Sequence, residues 1–482
     1  MFVGTGSDVG KSIINAAFCR IFKQDGYLPA PFKAQNMSLN SFATPDGLEI
    51  GRAQAMQAEA CGINCCSDMN PVLLKPTSNM ASQVVLNGKP IGNQTASEYF
   101  LKTDRQMLFT EAIKAYQRLE SKYNPMVIEG AGSISEINLW DKDITNMRIA
   151  VEVQASVFLI ADIDRGGVFA SVYGTIKLLP EHERKLIKGI IINKFRGDIS
   201  LFSEGKKIIE KLTGIPVVGI IPWFNDIFID DEDSVVIDSK QQLAKDNKIN
   251  IAVVLVRHMS NFTDFNYLER ISEVHLYYAA NPSDLDKADI VIIPGSKNTI
   301  SDMQYLRNSG MAKAILNAYT AQKAVYGICG GYQIMGTEIC DPQHIEGDIE
   351  FIPGLGILPI TTIITAAKTT EQRSFKFLNY TQHCKGYEIH MGESISLKPS
   401  TLCFLSNNQT DGHFLNPKTW GTYLHGIFDN EVVVNEILQQ AGLKKQITLT
   451  DYASFKNEQY NKLAQWVREN TDMECIYKTL YI

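Results

Sequence analysis

Gly4-Thr5-Gly6-Ser7-Asp8-Val9-Gly10-Lys11-Ser12 lies between a short apolar run, Met1-Phe2-Val3, and a helical stretch that begins near Ser12. Glycines let backbone N–H groups turn toward an anion, and a helix N-terminus adds its dipole. In such a loop Lys11 reaches the β- and γ-phosphates and the Ser12 hydroxyl binds Mg²⁺. The spacing departs from the strict G-x-x-x-x-G-K-[ST] pattern, because Thr5 stands at the first glycine and Gly4 one place early. A dinucleotide-type G-x-G-x-x-G also fails, with Val9 at its third glycine. The candidate nucleotide-binding residues are Gly4, Thr5, Ser7, Asp8, Val9, Gly10, Lys11 and Ser12. Only three residues precede the loop, so the first strand is very short and an upstream start is left open.

The longer loop resembles that of the dethiobiotin synthetase group of ATPases. Beyond the loop, apolar runs that suit strands buried on both faces alternate with helical stretches. The runs are 125–129, 156–162 and 189–195, and the helices lie near 98–121 and 200–212. This order predicts an α/β doubly wound parallel sheet. Glu129 ends the first of these runs and is followed by Gly130-Ala131-Gly132, which keeps the approach open. A charge there has little structural reason, so Glu129 is expected to complete a Mg²⁺ site with Ser12. Asp162 and Asp164 end the next strand, where either suits metal or substrate.

A boundary is expected near 238–250, where an acidic and then a polar stretch gives way to Ile249-Asn250-Ile251-Ala252-Val253-Val254. A second α/β series follows, with strands at 289–294 and 324–329. The expected division is a synthetase domain over 1–238, a second domain over 249–435 and a helical tail over 436–482. Length allows this: 482 residues, 45% of them apolar, with a formal net charge of -7. An acidic chain argues against a nucleic-acid partner. No apolar run is long enough to span a membrane, and no basic-then-apolar leader opens the chain. Nine scattered cysteines without zinc spacing suit a reduced, cytoplasmic protein. Cys61, Cys65 and Cys66 form the only cluster and are read as packing. Homo-oligomerisation stays open.

Gly327-Ile328-Cys329-Gly330-Gly331 follows the apolar run 324–326 and precedes a helical stretch. This is a strand-to-helix turn with a nucleophile at its tip. The glycines avoid clashes, and the helix N-terminus lowers the thiol pKa. Cys329 is therefore the candidate nucleophile. Its base is expected to be His425 in Tyr423-Leu424-His425-Gly426, with His390 as rival and His258 as a weaker one; the carboxylate that usually orients such a base is not identified.

Several stretches together resemble the cobyric acid synthase family, glutamine amidotransferases of the CobB/CobQ type. They include the loop at 4–12 and Lys33-Ala34-Gln35-Asn36-Met37-Ser38-Leu39-Asn40-Ser41, the most specific of them. Residues 49–59, 70–77, 127–132, 162–169 and 193–198 continue the likeness. Pro294-Gly295-Ser296-Lys297-Asn298-Thr299, the Cys329 turn, Gly386-Tyr387-Glu388-Ile389-His390 and the His425 segment complete it. The resemblance implies a C-terminal class I glutamine amidotransferase-like α/β domain. It also implies ATP- and Mg²⁺-dependent amidation of the b, d, e and g carboxylates of adenosylcobyrinic acid a,c-diamide, with glutamine as nitrogen source. Ile427 stands where most class I members have a Glu, as is usual in this branch. By the same resemblance Gly295, Ser296, Gly330, Tyr387 and Glu388 line the glutamine pocket, with Gly295 or Ser296 supplying an oxyanion N–H. A polyanionic corrinoid calls for basic and amide groups, and Lys33, Gln35, Asn36, Asn40, Arg52, Lys75 and Arg165, with Asp162 and Asp164, are the candidates. Asn79, Lys194 and Arg196 add to them. The rivals are the same chemistry on another acid, as in cobyrinic acid a,c-diamide synthase or lipid II amidase, and a non-catalytic P-loop switch protein.

Overall fold

The computed structural model describes residues 1–77, 81–95, 98–99, 104–230, 243–398, 400–448 and 451–480. Asn79 and the expected domain boundary at 238 lie outside the described residues.

The first domain is built on parallel strands. Phe2–Gly4, Val157–Asp162, Ile187–Phe195 and Val217–Pro222 run side by side in that order. Ala30–Phe32 and Met126–Ile128 pair in parallel and extend the array through a bridge from Phe2 to Glu129. Side chains alternate between two cores, as the two-residue period of a strand requires. Val3, Val157, Leu159 and Ala161 face one core, while Phe2, Phe158 and Ile160 face the other. Helices cover both faces, so the strands read as unbroken apolar runs. The helices expected near 98–121 and 200–212 are Arg105–Glu120 and Ser203–Thr213. A side sheet of Gln35–Met37, Val72–Pro76, Ala81–Leu86 and Lys89–Thr95 stands beside the hairpin Ser41–Ala43/Glu49–Gly51.

In the second domain Val274–Ala279, Ile249–Val254, Ile290–Ile293, Ala324–Ile328 and Thr419–Thr422 form a parallel series. His413–Asn416 closes its edge in the antiparallel sense. A second sheet is dominated by the long hairpin Ile360–Phe377/Cys384–Ser396, against which Leu424–His425 pairs. That pairing sets Tyr387 directly opposite His425.

The C-terminal helices part company in space. Glu431–Gln440 buries Val433, Val434, Ile437 and Leu438 in the second core. Tyr452–Glu469 returns to the first domain, where Tyr460, Leu463 and Ala464 pack with Phe18 and Ile14 of the helix Lys11–Gln24. Arg20 donates to Asn457 at 2.7 Å and Lys456 pairs with Glu59 at 2.7 Å across that seam.

Candidate active sites

Both candidate centres sit where strands of a parallel sheet end and helices begin. At the first, Gly10 takes a left-handed conformation (φ 94°), and a Cβ there would stand 2.2 Å from Asn193 Nδ2. Only glycine fits this close approach. The helix starts at Lys11, which aims its N-terminus at the loop. Lys11 Nζ donates to the carbonyls of Gly6 (2.8 Å) and Gly132 (2.9 Å), so the ammonium lies folded across the loop. Ser12 Oγ donates to Glu129 Oε1 at 2.8 Å, and Glu129 is fully buried. Lys33 pairs with that same oxygen at 2.8 Å, while Gln57 Nε2 donates to the other at 2.6 Å.

This arrangement fits a nucleotide and a magnesium ion. A glycine cradle faces a lysine and a helix N-terminus, and a hydroxyl stands against a buried carboxylate. Among the described residues no group of three His, Cys, Asp or Glu could hold a metal alone. The donors would thus be Ser12, Glu129 and phosphate oxygens. At the loop's mouth Lys194 pairs with Asp162 (3.0 Å) and also donates to Asp8 O. Arg196 pairs with Asp164 (2.6 Å), and Arg165 reaches Asp8 at 3.5 Å. These residues therefore gather around the nucleotide loop.

At the second centre, Cys329 caps the helix Gly330–Ile334 with φ 51° and ψ −109°, a strained conformation for a side-chain-bearing residue. A Cβ on Gly331 would stand 2.0 Å from Ile293 O, so the glycine after the turn is required by close packing. Cys329 Sγ lies 3.6 Å from Ile389 O and is 5% exposed. The neighbouring strand end delivers His425, 1% exposed. Its Nδ1 lies 2.7 Å from Asp264 Oδ2, and Gly426 N–H donates to Asp264 Oδ1 at 2.9 Å. A carboxylate only accepts, so Nδ1 carries the proton and Nε2 is left for the reacting groups. Burial opposes the imidazolium, but Asp264 and Cys329 outweigh it and push His425 up to about 10. That is the electrostatics of an imidazolium held between a carboxylate and a sulfur.

The rival histidines are otherwise engaged. His390 stacks on Tyr423 (3.7 Å between ring centres), lies 3.1 Å from Gly392 O, and burial pushes it down to about 4. His258 pairs with Asp302 at 2.9 Å. Around the thiol, Ser296 N would stand 2.7 Å from a Cβ on Gly330, and a Cβ on Gly295 would stand 3.2 Å from His425 Cε1. Tyr387 stacks on His425 at 5.4 Å, whereas Glu388 is paired with Arg373 at 2.5 Å.

The motif-borne polar residues divide. Gln35 accepts from Tyr99 (2.5 Å) and Asn36 donates to Gln54 (3.1 Å), both in the first domain. Asn40, Arg52 and Lys75 face the domain junction instead. Arg52 pairs with Asp230 at 2.8 Å and stacks on Phe42; Lys75 pairs with Glu49 at 2.7 Å; Asn40 accepts from Phe262 N–H at 3.1 Å. Asp264 is the site residue that sequence reasoning did not single out. Its only local signal was an acid between two phenylalanines, Phe262-Thr263-Asp264-Phe265, well past the strand Ile249–Val254.

Comparison with known proteins places this chain in a family. Residues 1–235 match the CobQ/CobB/MinD/ParA nucleotide binding domain, and residues 250–433 match the CobB/CobQ-like glutamine amidotransferase domain. The chain is 58% identical to the cobyric acid synthase of Parabacteroides distasonis, covering 100% of this chain and 98% of the relative. It is 57% identical to that of Bacteroides fragilis and 56% to that of Phocaeicola vulgatus, with the same coverage. The chain belongs to the cobyric acid synthase family. Members of this family are glutamine-dependent amidotransferases, and the two centres described here fall one in each matched domain. Among the described residues no helix is long and apolar enough to cross a membrane.

Proposed function

We infer that this chain makes cobyric acid, amidating the b, d, e and g carboxylates of adenosylcobyrinic acid a,c-diamide with ATP and glutamine. The observation that carries this reading is the pairing of two complete centres in one chain of the family. One holds Cys329, His425 and Asp264; the other holds Lys11, Ser12 and Glu129.

A carboxylate is a poor electrophile, so it must be activated before ammonia can displace oxygen. The substrate carboxylate attacks the γ-phosphorus of ATP, ADP departs, and an acyl phosphate forms. Lys11 offsets charge on the transferring group, and Ser12 with Glu129 would hold a magnesium ion, which would supply charge neutralisation for the phosphates. Carboxylates of the corrinoid compete with Asp8, Asp162 and Asp164 for Arg165, Lys194 and Arg196 at the mouth.

In the second centre the Cys329 thiolate attacks the side-chain amide of glutamine. The imidazolium of His425 protonates the departing nitrogen and ammonia leaves a thioester. Neutral His425 then takes a proton from water, which hydrolyses the thioester to glutamate. Ammonia displaces phosphate from the acyl phosphate to give the carboxamide. Incubation with the a,c-diamide, ATP, Mg²⁺ and glutamine tests the reading by mass spectrometry. Stepwise conversion of carboxyl to carboxamide is expected. Glutamate release with an unchanged corrinoid would point to another acid as substrate.

A further inference from the structure

The base of the glutaminase centre is anchored by residues of the other domain. Asp264 lies on the short turn Phe262–Phe265, whose start is tied to the first domain by two hydrogen bonds. Asn40 Oδ1 accepts the Phe262 N–H at 3.1 Å, and Asn261 Oδ1 accepts the Ser41 N–H at 3.1 Å. Each asparagine side chain thus holds the backbone of the opposite domain. Both are buried, and Asn261 sits in the left-handed region (φ 53°, ψ 41°). Asn261 O in turn accepts the Asp264 N–H at 3.0 Å, which fixes the carboxylate that holds His425.

The clasp reaches the histidine by a second route. Asn261 Nδ2 donates to Tyr387 Oη at 3.3 Å, and the Tyr387 ring stacks on His425. Phe42, two residues after Asn40, packs edge-on against Tyr387 at 4.7 Å. The segment that ends in this clasp begins at Lys33, whose ammonium pairs with Glu129 of the nucleotide centre. One stretch of chain therefore touches Glu129 at one end and the turn carrying Asp264 at the other.

We propose that Asn40 and Asn261 are positioning residues for the glutaminase reaction, keeping Asp264 in register with His425 across the domain junction. The proposal rests on the reading of Cys329 and His425 as a glutaminase pair. The charged and titratable groups that face His425 are Asp264 on its turn, Cys329 after its strand, and Tyr387, Glu388 and His390 on the hairpin. Of these, Asp264 holds the imidazolium by direct contact and depends on the clasp for its place.

The test uses the full-length chain and follows glutamate release from glutamine against pH. Asn40→Ala and Asn261→Gly remove the acceptors, and glycine suits the left-handed backbone at 261. Both variants are expected to lose roughly tenfold in glutaminase kcat, with KM little changed. The alkaline limb of the profile should move to lower pH, because a displaced Asp264 holds the imidazolium less well. Asn40→Asp keeps an acceptor for Phe262 and should retain more activity than Asn40→Ala. Asn261→Gly should still amidate the a,c-diamide when ammonium chloride replaces glutamine. Wild-type turnover in both acceptor-free variants overturns the proposal, and so does lost turnover with an unmoved alkaline limb. A wild-type chain that releases no glutamate overturns the functional reading itself, before any variant is compared.

Discussion

His425 Nδ1 and Asp264 Oδ2 stand 2.7 Å apart although 161 residues separate them in the chain. Asp264 supplies the carboxylate at the imidazole Nδ1, while the apolar Ile427 stands two residues past the histidine. Replacing Asp264 by Asn keeps the shape and removes the charge. Glutaminase turnover should fall by roughly 10²–10⁴-fold, the range that a mispositioned proton-transfer group costs. The pH profile carries the sign. His425 is raised from 6.5 to about 10, so the pair contributes stability in full below about pH 6.5 and loses it as pH rises through about 10. In Asp264→Asn the alkaline limb should therefore move down. A limb left in place would show that Asp264 does not hold the imidazolium.

Cys329→Ala should abolish amidation with glutamine and leave amidation with added ammonium salt. Alanine cannot relieve the strained backbone at 329 (φ 51°), so the turn keeps its shape and only the sulfur is lost. Amide formation with each nitrogen donor is the measurement. Loss with both would sink the two-centre arrangement.

Lys11→Ala should abolish amide formation with either donor and spare some glutamate release. Lys11 spans the loop between Gly6 O and Gly132 O and has no part in the thiol centre. Ammonium-driven amidation that survived the change would mean that the loop is not where ATP reacts.

The fold and the two reactive centres were legible because each is marked by local punctuation. Gly10-Lys11-Ser12, Glu129 before its glycines, and Gly327-Ile328-Cys329 all place a reactive group at the end of an apolar strand. Asp264 lacks that mark, since it lies on the turn Phe262–Phe265 well past the strand Ile249–Val254, and no motif tied it to a histidine so far along the chain. The polar residues of 33–77 were legible as a set and not as individuals. Lys33 turns inward to Glu129, Arg52 and Lys75 pair with Asp230 and Glu49 of their own domain, and Asn40 accepts from Phe262 of the other. Spacing along a loop does not encode which way each side chain turns. A helical tail is expected over 436–482, whereas the surface that Tyr460 and Leu463 cover is set by tertiary packing alone.

Glu49 is the last case, and it concerns how the domains stay together. Its carboxylate is fully buried at the junction, with Lys75 at 2.7 Å on one oxygen and Lys368, from the long hairpin of the second domain, on the other. Burial alone would raise its pKa, but Lys368 and Lys75 outweigh that and hold the carboxyl well below the usual carboxylate range. A depressed folded-state value means stability that is present above about pH 4.5 and lost as pH falls toward that value. Glu49→Gln leaves two buried amines facing a neutral amide, with Lys368 already pushed down to about 7 by burial, which costs about 3–5 kcal/mol. Thermal denaturation should show a clear fall in Tm at neutral pH. Glu49→Gln combined with Lys368→Met removes one of the stranded amines and should recover part of that loss. The gap between wild type and Glu49→Gln should also narrow as the buffer is taken below pH 4.5, since the unfolded chain then takes up a proton that the folded, ion-paired Glu49 resists. A gap that stayed constant down to acid pH would mean that the charge on Glu49 does not bind the domains.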